Sequence, residues 1–474
     1  MALQLDIFLR PVVESRRIWR LFGGAPDRGV LDYHRPLGEQ TLEGGIGMVR
    51  SAFKRWAPLV AVLLVSSLML AACGGGGEGD ETKTTGQTSP TGKAAKKTVI
   101  IGNLTDMTGA MQAAGEVLDM ALHDTADYFN EKGLIPGVEL KVIDYDGAYD
   151  PSKDIPGYEW LKERGADVIW TPVPATPLAI RPLADRDHML VFAASASPRS
   201  LLPPGWVFSP GNFPFDEGYT LLKWVAENDW DYKTKGPAKV AGVSWPTPNV
   251  LELIDGAKRY AEEHPDQFQW EGKFASAAIV FAWDSEVLAT KNCDYIIPPG
   301  VPVNFVKQYR EAGYKAKFIG TSVQLAFISL INDANLWDEL DGGVFLNATR
   351  WWNEEGTMIN LTRDLLNGNH PDRAKEIMRA GSGYLAVANA YQLCEIIQKA
   401  VATAGVEAID TEDFAQALYE AAEAYEMEVD GVKQYSFSPT KRTAPNYVGF
   451  YRLDASQKDI FRQGGWYPIE FVQQ

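Results

Sequence analysis

The stretch ADVIWTPVPATPLAIRPLADRDHMLVFAASASP, residues 166–198, contains two apolar runs on either side of a helical segment. ADVIW and HMLVFAA are predicted strands, and PLAIRPLADRD between them is a predicted helix. A strand, a helix and a second strand joined by short connections are typical of a parallel sheet covered by helices. This unit therefore predicts an α/β fold.

The same alternation extends in both directions from this unit. TVIIGNL, from Thr98, is a continuous apolar run that predicts a buried parallel strand, and the following helix is expected to stop at Gly133. Further on, AKVAGVSW, CDYIIP and KAKFIGTS predict strands that alternate with helices. The alternation is too long for one ordinary sheet, so it predicts two lobes.

Composition excludes several classes of protein. The chain has 474 residues and a net charge of -17, with no basic patch, so a nucleic-acid partner is not expected. Its three cysteines form no CxxC pair, and its five histidines are scattered, so neither a metal site nor a cofactor is predicted. Phosphate-loop, HExxH and GxSxG motifs are absent from the sequence, which lowers the expectation of an enzyme.

The amino end carries a targeting pattern. In MVRSAFKRWAPLVAVLLVSSLMLAAC, residues 48–73, a basic start precedes a short apolar core, which predicts a signal peptide over 48–72. The end of this segment resembles the bacterial lipobox, which implies cleavage before Cys73 and lipidation of that cysteine. Translation is predicted to start at Met48, so that residues 1–47 are a mis-assigned leader. Residues 73–97 are a predicted flexible linker.

Candidate ligand contacts follow the predicted strands, because ligands of open α/β sheets bind outside the carboxyl ends of the strands. The loops there carry hydroxyls, small residues and two tryptophans, each of which has packing between structural elements as an alternative role. The candidates from these loops are Thr108, Trp170, Thr171, Thr176, Ala194, Ser195, Trp245, Thr321 and Ser322.

In their order along the chain, these segments resemble the periplasmic substrate-binding proteins of the leucine/isoleucine/valine-binding type, which serve ABC transporters. IGNLTDMTGAMQAAG, YDGAYDPSKD and VNFVKQYREAGYKAKFIGTS carry the resemblance, together with the opening stretch. It implies two Rossmann-like lobes with parallel sheets, joined by a three-strand hinge that crosses near Asn212, Phe345 and Phe437. The expected lobes are 98–212 plus 346–437, and 213–345 plus 438–474.

The resemblance also implies further ligand positions and a class of ligand. The hydroxyl positions of the family fall near Ala175 and Ala196, its aromatic position near Asn249, and its ammonium-binding carboxylate at Ser322. A buried ammonium without a carboxylate is costly, so this pattern favours a neutral or anionic solute, amide-like or aromatic, over an α-amino acid.

The sequence thus predicts a non-enzymatic, extracytoplasmic lipoprotein, monomeric and anchored to a membrane, that captures a small solute by lobe closure and delivers it to an ABC permease. A ligand-sensing lipoprotein coupled to a membrane receptor is the alternative, and an anchored hydrolase is a weaker one. Cys293 and Cys394 fall in different expected lobes and are predicted to be free thiols.

Overall fold

The structure is a computed structural model that describes residues 96–472. The predicted leader, signal peptide and Cys73, with all but the last two residues of the linker, lie outside the described residues. The strands are β1 (Lys97–Thr105), β2 (Val138–Asp146), β3 (Val168–Thr171), β4 (Leu190–Ala193), β5 (Val207–Phe208), β6 (Ala238–Ser244), β7 (Phe268–Ala275), β8 (Tyr295–Ile297), β9 (Lys317–Gly320), β10 (Val344–Asn347), β11 (Glu426–Val429), β12 (Val432–Ser436), β13 (Tyr447–Asp454), β14 (Asp459–Arg462) and β15 (Tyr467–Pro468).

The helices alternate with the strands in the first two thirds of the described chain. They are α1 (Gln112–Lys132), α2 (Asp154–Glu163), α3 (Thr176–Asp187), α4 (Pro198–Leu201), α5 (Pro214–Asn228), α6 (Tyr232–Lys235), α7 (Pro248–Glu263), α8 (Asp284–Ala289), α9 (Val303–Glu311), α10 (Ser322–Leu325), α11 (Ile328–Asp333), α12 (Trp337–Leu340), α13 (Thr357–Asn369), α14 (Ala374–Ala380), α15 (Val387–Ala404) and α16 (Glu412–Glu423). As predicted, Gly133 ends α1: its φ of 61° is left-handed, and its N–H bonds to the last turn.

The first lobe is a parallel sheet in the order β2-β1-β3-β4-β5, covered by helices on both faces. Strands β3 and β4 are buried at every residue, as continuous apolar runs require. Val168 and Trp170 pack on the side of α15 and α16, whereas Ile169 packs on the side of α2 and α3. Helices α13 to α16 return to this lobe; Arg373 pairs with Glu116 of α1 at 2.6 Å.

The second lobe has the sheet order β14-β13-β10-β9-β8-β6-β7, with β15 paired to β13. From β10 to β7 the strands are parallel, as predicted, but β13 and β14 are antiparallel. Only four residues, 455–458, separate β13 from β14, and so short a connection allows only an antiparallel pair. The fold class is thus α/β with two sheet-based lobes, and the tail strands modify the expected all-parallel second sheet.

Three segments cross between the lobes: 209–213, 348–356 and 437–446. Ser209 donates its N–H to Arg442 O at 2.9 Å and accepts one from Ala444 at 2.8 Å, so the first and third crossings lie side by side. One isolated bridge, between Ser209 and Thr443, joins them rather than a pair of long strands. Phe345, expected at a crossing, lies inside β10, and the chain leaves the second lobe only after Asn347.

The directions of these crossings fix how the sheets face. The first crossing leaves the carboxyl end of β5, a strand that runs parallel to the other strands of its sheet. The second crossing leaves the carboxyl end of β10. The carboxyl edges of both sheets therefore border the same hinge, and the loops that follow the strands line the space between the lobes.

Two further predictions concern single residues and membrane spans. Cys293, before β8, and Cys394, in α15, are both buried and free, in different lobes, as predicted. Among residues 96–472, no helix is both long and apolar enough to cross a membrane.

Candidate functional site

The loop after β1 is held by two aspartates. Asp106 accepts N–H bonds from Gly109 at 2.5 Å and from Met111 at 2.7 Å, which fixes the entry into α1. Asp146, at the end of β2, accepts the Met107 N–H at 2.9 Å and the Thr108 hydroxyl at 2.6 Å. Thr108 is exposed, but its proton is engaged, so it faces solvent chiefly as an acceptor.

The side chains at the end of β3 are buried and packed, although the buried indole N–H of Trp170 has no hydrogen-bond partner among the described residues. The Trp170 ring is fully buried and stacks on Phe192, with ring centroids 6.1 Å apart, so lobe packing accounts for this residue and no ring face is open at the edge. The buried Thr176 hydroxyl donates to Asp154 at 2.8 Å, and Thr171 accepts the Val173 N–H at 3.3 Å. These side chains shape the loop rather than reach out of it.

Small residues form the surface of the first lobe at this edge. Ala175 is exposed at the start of α3, and Ala194 and Ser195 are half-buried after β4, whereas Ala196 is buried. The Ala194 N–H donates to Thr171 O at 2.9 Å, which ties the two loops together. The structure therefore brings Ala175, Ala194 and Ser195 to one edge, with little side-chain bulk between a ligand and the backbone.

In the second lobe, Trp245 is half-buried directly after β6. Its indole N–H donates to Val280 O at 2.8 Å, and its ring stacks on Trp283 with centroids 6.1 Å apart. Because the only polar atom of this side chain is engaged, the ring offers apolar and π contacts alone. Asn249, at the start of α7, accepts the Val250 N–H at 2.9 Å and is half-buried.

The end of β9 carries the remaining two candidates. Thr321 is fully buried and caps α10, with Gln324 accepting its N–H at 2.9 Å. Ser322 is half-buried, and its carbonyl accepts the hydroxyl of Ser382 at 3.2 Å. Ser382 lies between α14 and α15 of the first lobe, so the two lobes touch at a candidate ligand residue.

Two features of this edge were not anticipated from the sequence. One is the apolar segment 276–283 after β7, which accepts the Trp245 bond. Its signal is visible: SAAIVFAW has no charged residue. The other is the contact of Ser382 and Gly381 with α10, for which the sequence carries no signal because it joins residues about sixty positions apart.

The chemistry of this edge suits binding. Its loops offer hydroxyls, backbone groups, small side chains and one indole face, and they hold no histidine. Among residues 96–472, no group of three or more His, Cys, Asp or Glu side chains is placed to hold a metal ion. Such a set can surround a small solute with hydrogen bonds and apolar contact.

Solved structures share this architecture. A branched-chain amino acid ABC transporter protein from Thermus thermophilus with bound valine matches with a TM-score of 0.67 at 18% identity, covering 79% of this chain and 97% of that one. A fatty acid ABC transporter substrate-binding protein from Thermomonospora curvata matches with a TM-score of 0.65 at 17% identity, and the match covers 79% of this chain and 93% of that one. A solute-binding protein of an ABC transporter from Rhodopseudomonas palustris, in complex with 3,4-dihydroxybenzoic acid, matches with a TM-score of 0.60 at 18% identity. This match covers 79% of this chain and 96% of that one.

The sequence comparisons agree with these structural likenesses. No curated protein matches this sequence, but the model of the periplasmic binding protein family matches residues 98–458. The predicted resemblance to the leucine/isoleucine/valine-binding type is confirmed, and these similar proteins are binding proteins of transporters, not enzymes. Family membership implies an extracytoplasmic location. The chain belongs to the periplasmic binding protein family.

Proposed function

We propose that this protein is a lipid-anchored solute receptor that captures a small carboxylate or amide with a hydrocarbon or aromatic part, and delivers it to an ABC importer. The observation that carries this proposal is the arrangement of the crossing segments: both sheets turn their carboxyl edges toward one hinge. A solute between these edges touches both lobes, so binding favours the closed arrangement.

The proposed contacts are the candidates that reach the edge. In the first lobe they are Thr108, Ala175, Ala194 and Ser195, and in the second Trp245, Asn249 and Ser322. The buried members of the predicted set, Trp170, Thr171, Thr176, Ala196 and Thr321, support these loops from behind.

The chemistry of the edge supports this class of solute. Ser322 stands where a carboxylate would be needed for an ammonium group, and Trp245 presents only its ring. Solutes bound by similar proteins include valine and 3,4-dihydroxybenzoic acid, and another similar protein is named for fatty acids. A carboxylate on a hydrocarbon or aromatic frame is common to these solutes.

Anchoring through Cys73 and delivery to a permease complete the proposal. The lipobox-like ending of residues 48–73 supports the anchor. Labelling of expressing cells with an alkyne fatty acid should mark the chain, and Cys73→Ser should abolish the label. Label that persists in Cys73→Ser contradicts the anchor but leaves solute binding intact.

Solute binding is tested by thermal unfolding of the Cys73→Ser chain with valine, octanoate, benzamide and 3,4-dihydroxybenzoate. A solute at 100 times its dissociation constant should stabilise the protein by about 2.7 kcal/mol. Calorimetry of the hits should give one site per chain, and mass spectrometry should recover the solute unchanged. Chemical conversion of the solute, or no stabilisation by any of the four, contradicts the proposal.

A further inference from the structure

Segment 276–283, SAAIVFAW, joins β7 to α8 and carries no charged residue, although 23% of the chain is charged. Phe281 is 67% exposed and Ile279 is 56% exposed, and the alanines beside them are exposed as well. Single exposed apolar side chains are ordinary, but a continuous exposed run marks a surface that is covered in use.

The segment is firmly held despite this exposure. At its start, the Ser276 N–H donates to Ser244 O at 3.0 Å. At its end, Gln308 of α9 donates to Phe281 O at 2.8 Å and accepts the Trp283 N–H at 2.7 Å. These bonds hold the backbone on both sides of the Phe281 side chain, so the ring is presented from an ordered backbone.

The position of the segment indicates what covers it. Ser244 and Ala275 are paired in the parallel ladder of β6 and β7, so the chain leaves both strands at the same level of the carboxyl edge. The Phe281 ring lies 6.2 Å from the Trp245 ring, edge to face, and Trp245 donates to the backbone of the segment. The exposed run is therefore continuous with the candidate ligand site.

We propose that segment 276–283 is the apolar wall of the solute cleft, in which Ile279, Phe281 and the Trp245 ring contact the hydrocarbon part of the solute and set its preferred size. This inference rests on the proposed function and names the side chains that select the solute. A second copy of the chain is a poorer occupant, because acidic copies repel each other and the full sequence has a net charge of -17.

The test compares solutes of increasing hydrocarbon content: acetate, butanoate, octanoate and 3,4-dihydroxybenzoate. Affinities are measured by calorimetry for the Cys73→Ser chain and for Phe281→Ser and Ile279→Ser in that background. The matched control is Ile155→Ser, which removes an isoleucine that is 50% exposed on α2 of the other lobe. Each wall variant should weaken the best-bound solute about tenfold and leave the smallest nearly unchanged, because only the larger solute reaches the wall.

A second measurement does not depend on affinity. Phe281→Cys and Ile155→Cys, in the Cys73→Ser background, are labelled with a maleimide, with and without the best-bound solute. The solute should slow labelling at position 281 about tenfold and leave position 155 unaffected.

The outcomes separate the two proposals. If a solute stabilises the protein but wall variants bind it as the control does and position 281 stays reactive, the wall is refuted and the proposed function stands. Unchanged solute binding with lost uptake through a permease would assign the segment to the permease instead. If no solute of either panel binds the Cys73→Ser chain without wall substitutions, both proposals fail together.

Discussion

The side-chain nitrogen of Gln434 lies 3.1 Å from the carbonyl oxygen of Ala348, and this hydrogen bond joins the middle of β12 to the second crossing segment. The same nitrogen donates to Tyr447 O at 2.9 Å, at the start of β13. Gln434 is only 2% exposed. One buried amide thus ties the second crossing segment to the strands on either side of the third, β12 and β13.

Replacing Gln434 by alanine should destabilise the protein by about 1–3 kcal/mol, because the Tyr447 and Ala348 carbonyls lose the amide donor in a buried place, although the Tyr435 hydroxyl still donates to Ala348 O at 3.3 Å. Urea unfolding followed by circular dichroism measures this difference. Gln416→Ala on the exposed face of α16, where the amide bonds only to Glu420, is the matched control and should change stability by less than about 0.5 kcal/mol. Equal effects of the two substitutions would show that the Gln434 bonds do not hold the hinge.

The contact of Gly381 with α10 gives a second prediction. Gly381 has a φ of 121°, and a Cβ added there would lie 2.1 Å from Leu325 O in the other lobe. Gly381→Ala should therefore hold the lobes apart and weaken solute binding about tenfold, because less of the protein is in the closed form. Small-angle scattering with saturating solute should give a larger radius of gyration than for the unsubstituted chain.

Gly368→Ala is the control for this substitution. It lies in α13, nothing is within 4 Å of its added Cβ, and alanine suits a helix. We expect solute affinity and radius of gyration to stay unchanged. A Gly381→Ala variant that closes as readily as Gly368→Ala would mean that this contact does not govern closure.

The two cysteines provide a third prediction. Burial raises the pKa of Cys293 to about 12 and that of Cys394 still further, so neither forms the reactive thiolate at neutral pH. In the Cys73→Ser chain, a thiol reagent should label neither in the native state and both after denaturation. Ala282→Cys, at an exposed position, should react at once. A mass two units below that of the dithiol would instead reveal a disulfide.

The sequence sufficed for the lobes but not for the orientation of the site side chains. Strands such as β3 and β4 can be recognised in the sequence as continuous apolar runs, because both of their faces are buried. For the same reason the run does not tell which residue faces a ligand: Trp170 is the next-to-last residue of its strand and points into the core. Trp245 lies one residue beyond β6, where the chain has left the sheet, and its ring is half-exposed.

Strand β7, which is not among the strands predicted from the sequence, shows a second limit of sequence-based prediction. In β7, FQWEGKFA, buried or half-buried residues alternate with exposed ones, because the strand lies at the edge of its sheet. A search for continuous apolar runs therefore passes over β7, so the sequence does not place the uncharged run 276–283 directly after a strand. Contacts such as that of Ser382 with Ser322 depend on how the two lobes close, and no local pattern encodes them.

The last prediction concerns Glu217, in the first turn of α5 beside the first crossing segment. Burial raises the pKa of its carboxyl group to about 8; the Asn212 amide opposes this shift and the Asp216 carboxylate adds to it. The pKa of a glutamate in the unfolded chain is about 4.3, so the folded protein holds this proton more tightly than the unfolded chain does. The free energy of unfolding therefore falls as the pH rises from about 4.3 to about 8.

Glu217→Gln removes this loss, since glutamine carries no proton to release. The variant should be more stable than the unsubstituted chain by on the order of 5 kcal/mol at pH 9, and the difference should vanish near pH 4. Urea midpoints at pH 4.5, 6, 7.5 and 9 measure this difference. Glu131→Gln on the exposed face of α1 makes the same change in net charge and should show no such widening gap. A constant difference across the pH range would mean that Glu217 ionises as readily in the folded protein as in the unfolded chain.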